Sequence, residues 1–286
     1  MNAANDLRNV DSDRRVRVEL CAGGIDDVRL AAECRVDRIE LNCGVALGGL
    51  TPSSGLLQSS RQIYSGPIIA MLRPREGGFC YSGSEFEQIL LDAECLLALG
   101  ADGLAAGFLQ TDGRLDVDRV LQLRRRFPQA MLVFHRAFDV LPDLSVGLQQ
   151  LLDCGWNRIL TSGGQPTALA GAAVLRGLRE QAGDRMEILP AGGIRSHNLQ
   201  ALVEVTGVNQ VHSAVLTRII DPSTGGNRAL QFGASTEHDN GAYCAASADQ
   251  LKSLLQEARL IEAQITRRAP ARGLSGTAEL PEAGTP

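Results

Sequence analysis

Lysine is nearly missing from this sequence. Of 28 lysines and arginines only Lys252 is a lysine, and it falls in the last helical stretch. A Schiff-base amine has to come from inside the fold, so imine-forming aldolase chemistry is not expected. Aromatics are scarce too, at 4%, and the net charge is −5. The chain therefore has neither the stacking platforms nor the basic field of a nucleic-acid-binding protein. No run approaches the length of a membrane span, and residues 1–15 are polar with no apolar leader segment. Seven cysteines, an odd number without any C-x-x-C pair, make neither a disulfide framework nor a zinc site. These absences point to a reducing, cytoplasmic setting, with no membrane or nucleic-acid partner.

Apolar residues, at 44%, and glycine, at 31 of 286 residues, are plentiful. The glycines cluster at the ends of short apolar runs, as strand-to-helix turns require. Strands are expected at 16–21, 37–41, 67–73, 102–107, 130–135, 157–161, 186–191 and 208–212. Each precedes an amphipathic helical pattern, at 25–34, 53–64, 84–99, 116–127, 142–153, 167–182, 196–206 and 247–265. Ser84 with Glu87 reads as a capping box for the third helix, and Pro142 sits near the start of the fifth, where its missing N–H costs little. Eight successive βα units imply a parallel sheet, and eight is the number that closes. The expected fold is α/β, a single-domain TIM (β/α)8 barrel over 15–265. A flexible extension at 1–14 and a disordered Pro/Gly-rich tail at 266–286 flank it, and 213–246 forms a long loop on the catalytic face.

Strand parity then sorts the polar residues. With Val18, Leu20, Ile39 and Leu41 packed outward, Glu19, Cys21, Glu40 and Asn42 face the barrel interior. Arg73, His135 and His212 close their strands at the C-terminal rim, where barrel enzymes keep their chemistry. Glu19 and Glu40 need buried partners, and the Arg73 fork is the candidate bridge between them. The alternative is a satisfied ion-pair plug. Asp139, four residues after His135, is placed either to orient that imidazole for acid/base work or to pair with Arg136 in the loop. Gly192-Gly193 before a helix, with Ser162-Gly163 after the sixth strand and His212, offers an anion or phosphate cradle, although tight turns need glycine anyway. Cys21, Cys43 and Cys80 lie near the rim, where thiolates suit a soft ion such as Cu(I). His197 and His238 read as solvated.

Taken together, several of these segments resemble the CutC family of copper-homeostasis proteins. The resemblance runs from about Val16 to Ser213. It is carried by Glu19-Leu20-Cys21, Asp37-Arg38-Ile39-Glu40-Leu41 and Gly48-Gly49-Leu50-Thr51-Pro52-Ser53. Further matches are Arg73-Pro74-Arg75, Phe79-Cys80-Tyr81-Ser82, Phe134-His135-Arg136-Ala137-Phe138-Asp139, Leu160-Thr161-Ser162-Gly163 and Val211-His212-Ser213. It implies a TIM barrel and a cytoplasmic role in copper homeostasis, with cysteines as Cu(I) ligands. Cys21 matches one such cysteine; the other family position is Asn42 here, with Cys43 one residue on. Two functions follow as expectations. One is a copper-binding protein with Cu(I) on Cys21, Cys43 and Cys80. The other is a lyase- or isomerase-like enzyme for a small anionic metabolite, with Glu19, Glu40, Arg73, His135 and Asp139 doing acid/base and orienting work. Whether the chain is an enzyme, and whether it forms a homo-oligomer, stay open at this point.

Overall fold

All eight expected strand runs form strands, because each is a short apolar stretch closed by a turn residue. In the computed structural model, which describes residues 15–227 and 241–268, they are β1 Arg17–Ala22, β2 Arg38–Leu41, β3 Ile68–Met71, β4 Gly103–Ala106, β5 Met131–Phe134, β6 Arg158–Thr161, β7 Glu187–Pro190 and β8 Gln210–Ser213. The helices between and after them are α1 Ile25–Cys34, α2 Ser54–Ile63, α3 Gly83–Ala98, α4 Val117–Arg126, α5 Leu144–Asp153, α6 Ala172–Ala182, α7 Ser196–Thr206 and α8 Ala248–Arg268. The expected extension at 1–14, His238, and the tail beyond Arg268 lie outside the described residues. The first three residues of that expected tail, 266–268, belong to α8.

One expected cap is displaced by two residues. Ser82, not Ser84, caps α3: its hydroxyl accepts the Glu85 N–H at 3.1 Å, and the Glu85 carboxylate accepts the Ser82 N–H at 2.6 Å. Pro142 stands just before α5, as expected, and Asp143 caps that helix by accepting the Val146 N–H at 3.0 Å.

The strands run parallel, and β1 pairs with both β2 and β8, so the sheet wraps round into a barrel. Outward residues such as Val18, Leu20, Ile39 and Leu132 join the helices in one large apolar shell. A second apolar cluster, Ile69, Met71, Ala105, Val133, Leu160, Leu189 and Ala191, fills the side of the lumen formed by β3 to β7. The opposite side is lined by the buried polar residues Glu19, Arg38, Glu40, Gln210 and His212, with Arg158 of β6 reaching across to them. The interior is thus split into an oily half and a charged half.

The hydrogen-bonded order ends at β7 on one side and at β8 on the other. Side chains bridge this seam. Ser213 Oγ donates to the Ile194 carbonyl at 2.8 Å, Arg195 donates to the Ala214 carbonyl at 3.0 Å, and the Gln210 amide donates to Glu187 at 3.2 Å. The long connection expected at 213–246 holds regular structure in its described residues. Within it Leu216–Ile220 (β9) and Ala242–Ala246 (β10) form an antiparallel ribbon. The Ala246 N–H ties the ribbon to Asp27 of α1 at 2.8 Å.

Two glycines behave in opposite ways. A Cβ on Gly103 of β4 would lie 2.5 Å from the Met131 carbonyl oxygen, which is backbone and cannot retreat. Gly103→Ala should therefore lower stability by about 1–3 kcal/mol, the usual range for overpacking. In α6, a Cβ on Gly177 meets nothing within 4 Å, so Gly177→Ala should stabilise by roughly 0.5–1 kcal/mol through helix propensity. Denaturant unfolding of both variants checks the pair; equal signs would contradict the packing described.

Candidate functional site

Glu19 is the centre of the charged half. Its carboxylate is 3% exposed and has three partners: the Arg38 guanidinium, His212 Nδ1 at 2.7 Å and Arg158 at 3.9 Å. Burial alone would raise this carboxyl, but Arg38, His212 and Arg158 outweigh it and hold Glu19 well below the usual carboxylate range. Arg158 also pairs with Glu187, through Nε at 2.5 Å, and Arg38 donates to Gln210 at 3.1 Å. The expected bridge through Arg73 is therefore corrected. Arg38 and Arg158 supply the positive charge, because both sit one layer below the rim beside Glu19, whereas Arg73 leaves its strand into the loops. Parity would have found both arginines: Arg38 shares the inward phase of Glu40, and Arg158 that of Leu160.

Above Glu19 lies a trio. Cys21, Glu40 and His212 are buried, and one ligand atom from each lies within 4.8 Å of the others. Glu19 holds His212 by Nδ1, so Nε2 is turned toward Glu40, 3.9 Å away. Asn42, the residue at the family's second cysteine position, donates its amide to Cys21 Sγ at 3.1 Å. Burial pushes the Glu40 carboxyl up to about 7, against the pull of His212 and with the push of Glu19. Burial disfavours the His212 cation, yet Glu40, Cys21 and Glu19 together raise its pKa well above the ordinary value.

The trio forms one wall of a cavity of about 450 Å³ at the C-terminal mouth of the barrel, lined also by Asn42, Arg73, Phe79, His135, Gly192, Gly193 and Arg195. Arg73 donates to the carbonyls of Leu47 at 2.9 Å, Gly49 at 3.2 Å and Gly77 at 2.8 Å, and its guanidinium lies over the Phe79 ring. His135 accepts the Ala137 N–H on Nδ1 at 3.2 Å and packs on the same Phe79 ring. A Cβ at Gly107 would collide with the imidazole, so the seat requires glycine there.

Of the two roles expected for Asp139, orientation of His135 is not what the structure shows. Asp139 pairs with Arg136 at 2.8 Å and accepts from Thr161 Oγ1 at 2.5 Å and the amides of Ser162 and Gly164. It builds the loop after β6, and Ser162 is held inside that loop by Asp139 and Arg136. The Gly163 N–H is likewise taken, by Thr161 Oγ1. Gly192 and Gly193, both with positive φ, do reach the cavity, whereas Ser162, Gly163 and Asp139 are not on its wall. Nor are Cys43 and Cys80 brought to Cys21. Cys43 is half-buried with its thiol donating to the Thr51 carbonyl at 3.1 Å, and Cys80 is exposed. The one-residue offset from Asn42 puts the Cys43 sulfur on the loop side of the strand end.

Burial, and then the neighbouring Arg73, lower His135 to about 3. An unfolded histidine takes its proton near 6.5, so between these values the unfolded chain binds more protons and stability falls as pH falls. His135→Gln removes this contribution. The stability gap between wild type and variant should shrink by roughly 2–3 kcal/mol from pH 7 to pH 4.5. Urea titrations at both pH values measure it; a constant gap would mean that the native ring is protonated.

The CutC family model matches residues 16–217, the whole run from β1 into β9. A CutC family protein of Treponema denticola is 39% identical over 243 residues, covering 85% of this chain and 99% of that protein. The copper homeostasis protein cutC homolog of Homo sapiens is 36% identical over 218 residues, covering 76% of this chain and 80% of the human one. The crystal structure of the CutC protein from Streptococcus agalactiae superposes with a TM-score of 0.66 at 31% identity, covering 69% of this chain and 97% of that one. With sequence and barrel in agreement across the segment that carries the trio, the chain belongs to the CutC family.

Proposed function

We propose that the protein takes part in copper homeostasis by holding a copper ion at Cys21, Glu40 and His212. The observation that carries the reading is the convergence of a thiol, an imidazole and a carboxylate on one buried point. The donor chemistry fits the group: sulfur and imidazole nitrogen both suit copper, and a thiolate selects Cu(I) over harder ions. The surroundings fit as well. Ligating histidines are commonly oriented by a carboxylate on their other ring nitrogen, and Glu19 stands in that place at 2.7 Å from His212 Nδ1. Copper is cargo here, so no reaction is needed to make sense of the site.

Relatives named for copper homeostasis, in human and mouse, support the same reading. All seven cysteines are free thiols, in keeping with the reducing, cytoplasmic setting we assign. Among the described residues no helix is long and apolar enough to cross a membrane. The site differs from the three-thiolate arrangement expected from sequence. One sulfur is present, and nitrogen and oxygen complete the set.

Anaerobic Cu(I) titration against a competing chelator tests this directly. Cys21→Ser and His212→Ala should each weaken binding at least tenfold, which is about 1.4 kcal/mol. Cys43→Ser and Cys80→Ser should leave it unchanged. Tight Cu(I) binding that survives Cys21→Ser, or that is lost with Cys43 or Cys80 instead, would overturn the assignment.

A further inference from the structure

Two residues that line the cavity, Arg73 and His135, each carry a buried nitrogen donor with no partner among the described residues. Arg73 is 7% exposed and His135 is 3% exposed. The Arg73 terminal nitrogens are spent on three carbonyls, but its Nε has no acceptor, and neither has His135 Nε2. Because His135 Nδ1 accepts from the Ala137 N–H, the ring proton sits on Nε2, the free side. Both donors belong to residues lining the same cavity, and the Phe79 ring packs on both, 5.3 Å from the guanidinium carbon and 5.0 Å from the imidazole centre.

The charge is as informative as the free donors. Among the described residues no carboxylate lies within ion-pair distance of Arg73, whereas Arg38 and Arg158, equally buried, are both paired. Taking a guanidinium out of water without a counter-ion is costly even when carbonyls take its hydrogens, and an anion in the cavity would offset that cost. The cavity's size says what kind. About 450 Å³ is far more than a bare ion occupies and lies within the range of small-molecule sites. Met71, Leu160 and Ala191 give it an apolar floor suited to a short carbon skeleton.

We propose that Arg73 and His135 form an oxyanion subsite, which binds a small organic metabolite by its carboxylate or phosphate group. Arg73 supplies the charge and one N–H, and His135 supplies a second, neutral N–H. The site is distinct from the Cys21, Glu40 and His212 trio and stands whether or not copper binds there. Carboxylate and phosphate ester present the same acceptor oxygens, so the probes must separate them.

The test uses full-length, copper-free protein labelled with nitrogen-15, titrated with inorganic phosphate, methyl phosphate and pyruvate. The side-chain spectrum contains only four histidines, so His135 Nε2 can be followed directly. A saturable, one-to-one shift of that signal with either the phosphates or pyruvate is expected, and the probe that saturates first names the class. Arg73→Lys keeps the charge but loses Nε, and His135→Phe keeps the ring packing but loses the donor. Each should weaken binding at least tenfold with an unchanged melting profile, while Cys21→Ser should bind as wild type does. If no probe moves His135, or if both variants bind as tightly as wild type, the subsite is not there. Because the assay needs no metal, its failure is separate from any failure of the copper assignment.

Discussion

The Glu19 carboxylate, buried at the centre of the barrel, is the contact on which the remaining geometry rests. A lone carboxylate at that depth would be protonated or would refuse burial. Arg38 from β2, Arg158 from β6 and His212 from β8 converge on it, so one side chain of β1 is tied to three other strands, one of them on the apolar side of the lumen. The same contact fixes which nitrogen of His212 faces the cavity. Removing one member of such a network strands the others without water, at about 3–5 kcal/mol. The network is therefore scaffold and positioning device at once.

The mouth above Glu19 is divided by chemistry. The proposed copper site at Cys21, Glu40 and His212 and the proposed anion subsite at Arg73 and His135 share the lining of this one cavity. The Phe79 ring packs on both Arg73 and His135 and covers them with apolar surface, where a polar contact counts for more than in water. Two proposed sites of opposite demand in one cavity would make a place for a polar molecule with two different ends, or for an ion and an organic acid side by side.

Much of this was legible from the amino acids, because strand parity has a strict period of two. Once Val18, Leu20, Ile39 and Leu41 are turned outward, Glu19, Cys21 and Glu40 must face in, and they do. The eight-unit count likewise reached the barrel and most helix boundaries. The partners were harder. Arg38 and Arg158 open their strands, where a charged residue normally reads as a solvated end, so the counter-ions of Glu19 went to Arg73 instead. Asp139 lies four residues from His135 in sequence, but the tight helical turn at Arg136–Val140 swings it to the β6 loop. The β9–β10 ribbon carries little apolar alternation toward a core, and four of the five β9 residues are exposed, so no burial pattern announced it.

Where β7 meets β8, the cylinder is fastened by Arg195, Ser213 and Gln210 rather than by main-chain rungs. Main-chain rungs are indifferent to sequence, whereas side-chain fasteners can be lengthened, shortened or lost one at a time. Arg195 and Ser213 of this fastening also border the cavity. A descendant of this protein could thus widen or narrow its mouth by changing a clasp, leaving the seven backbone-paired joints of the staves as they are.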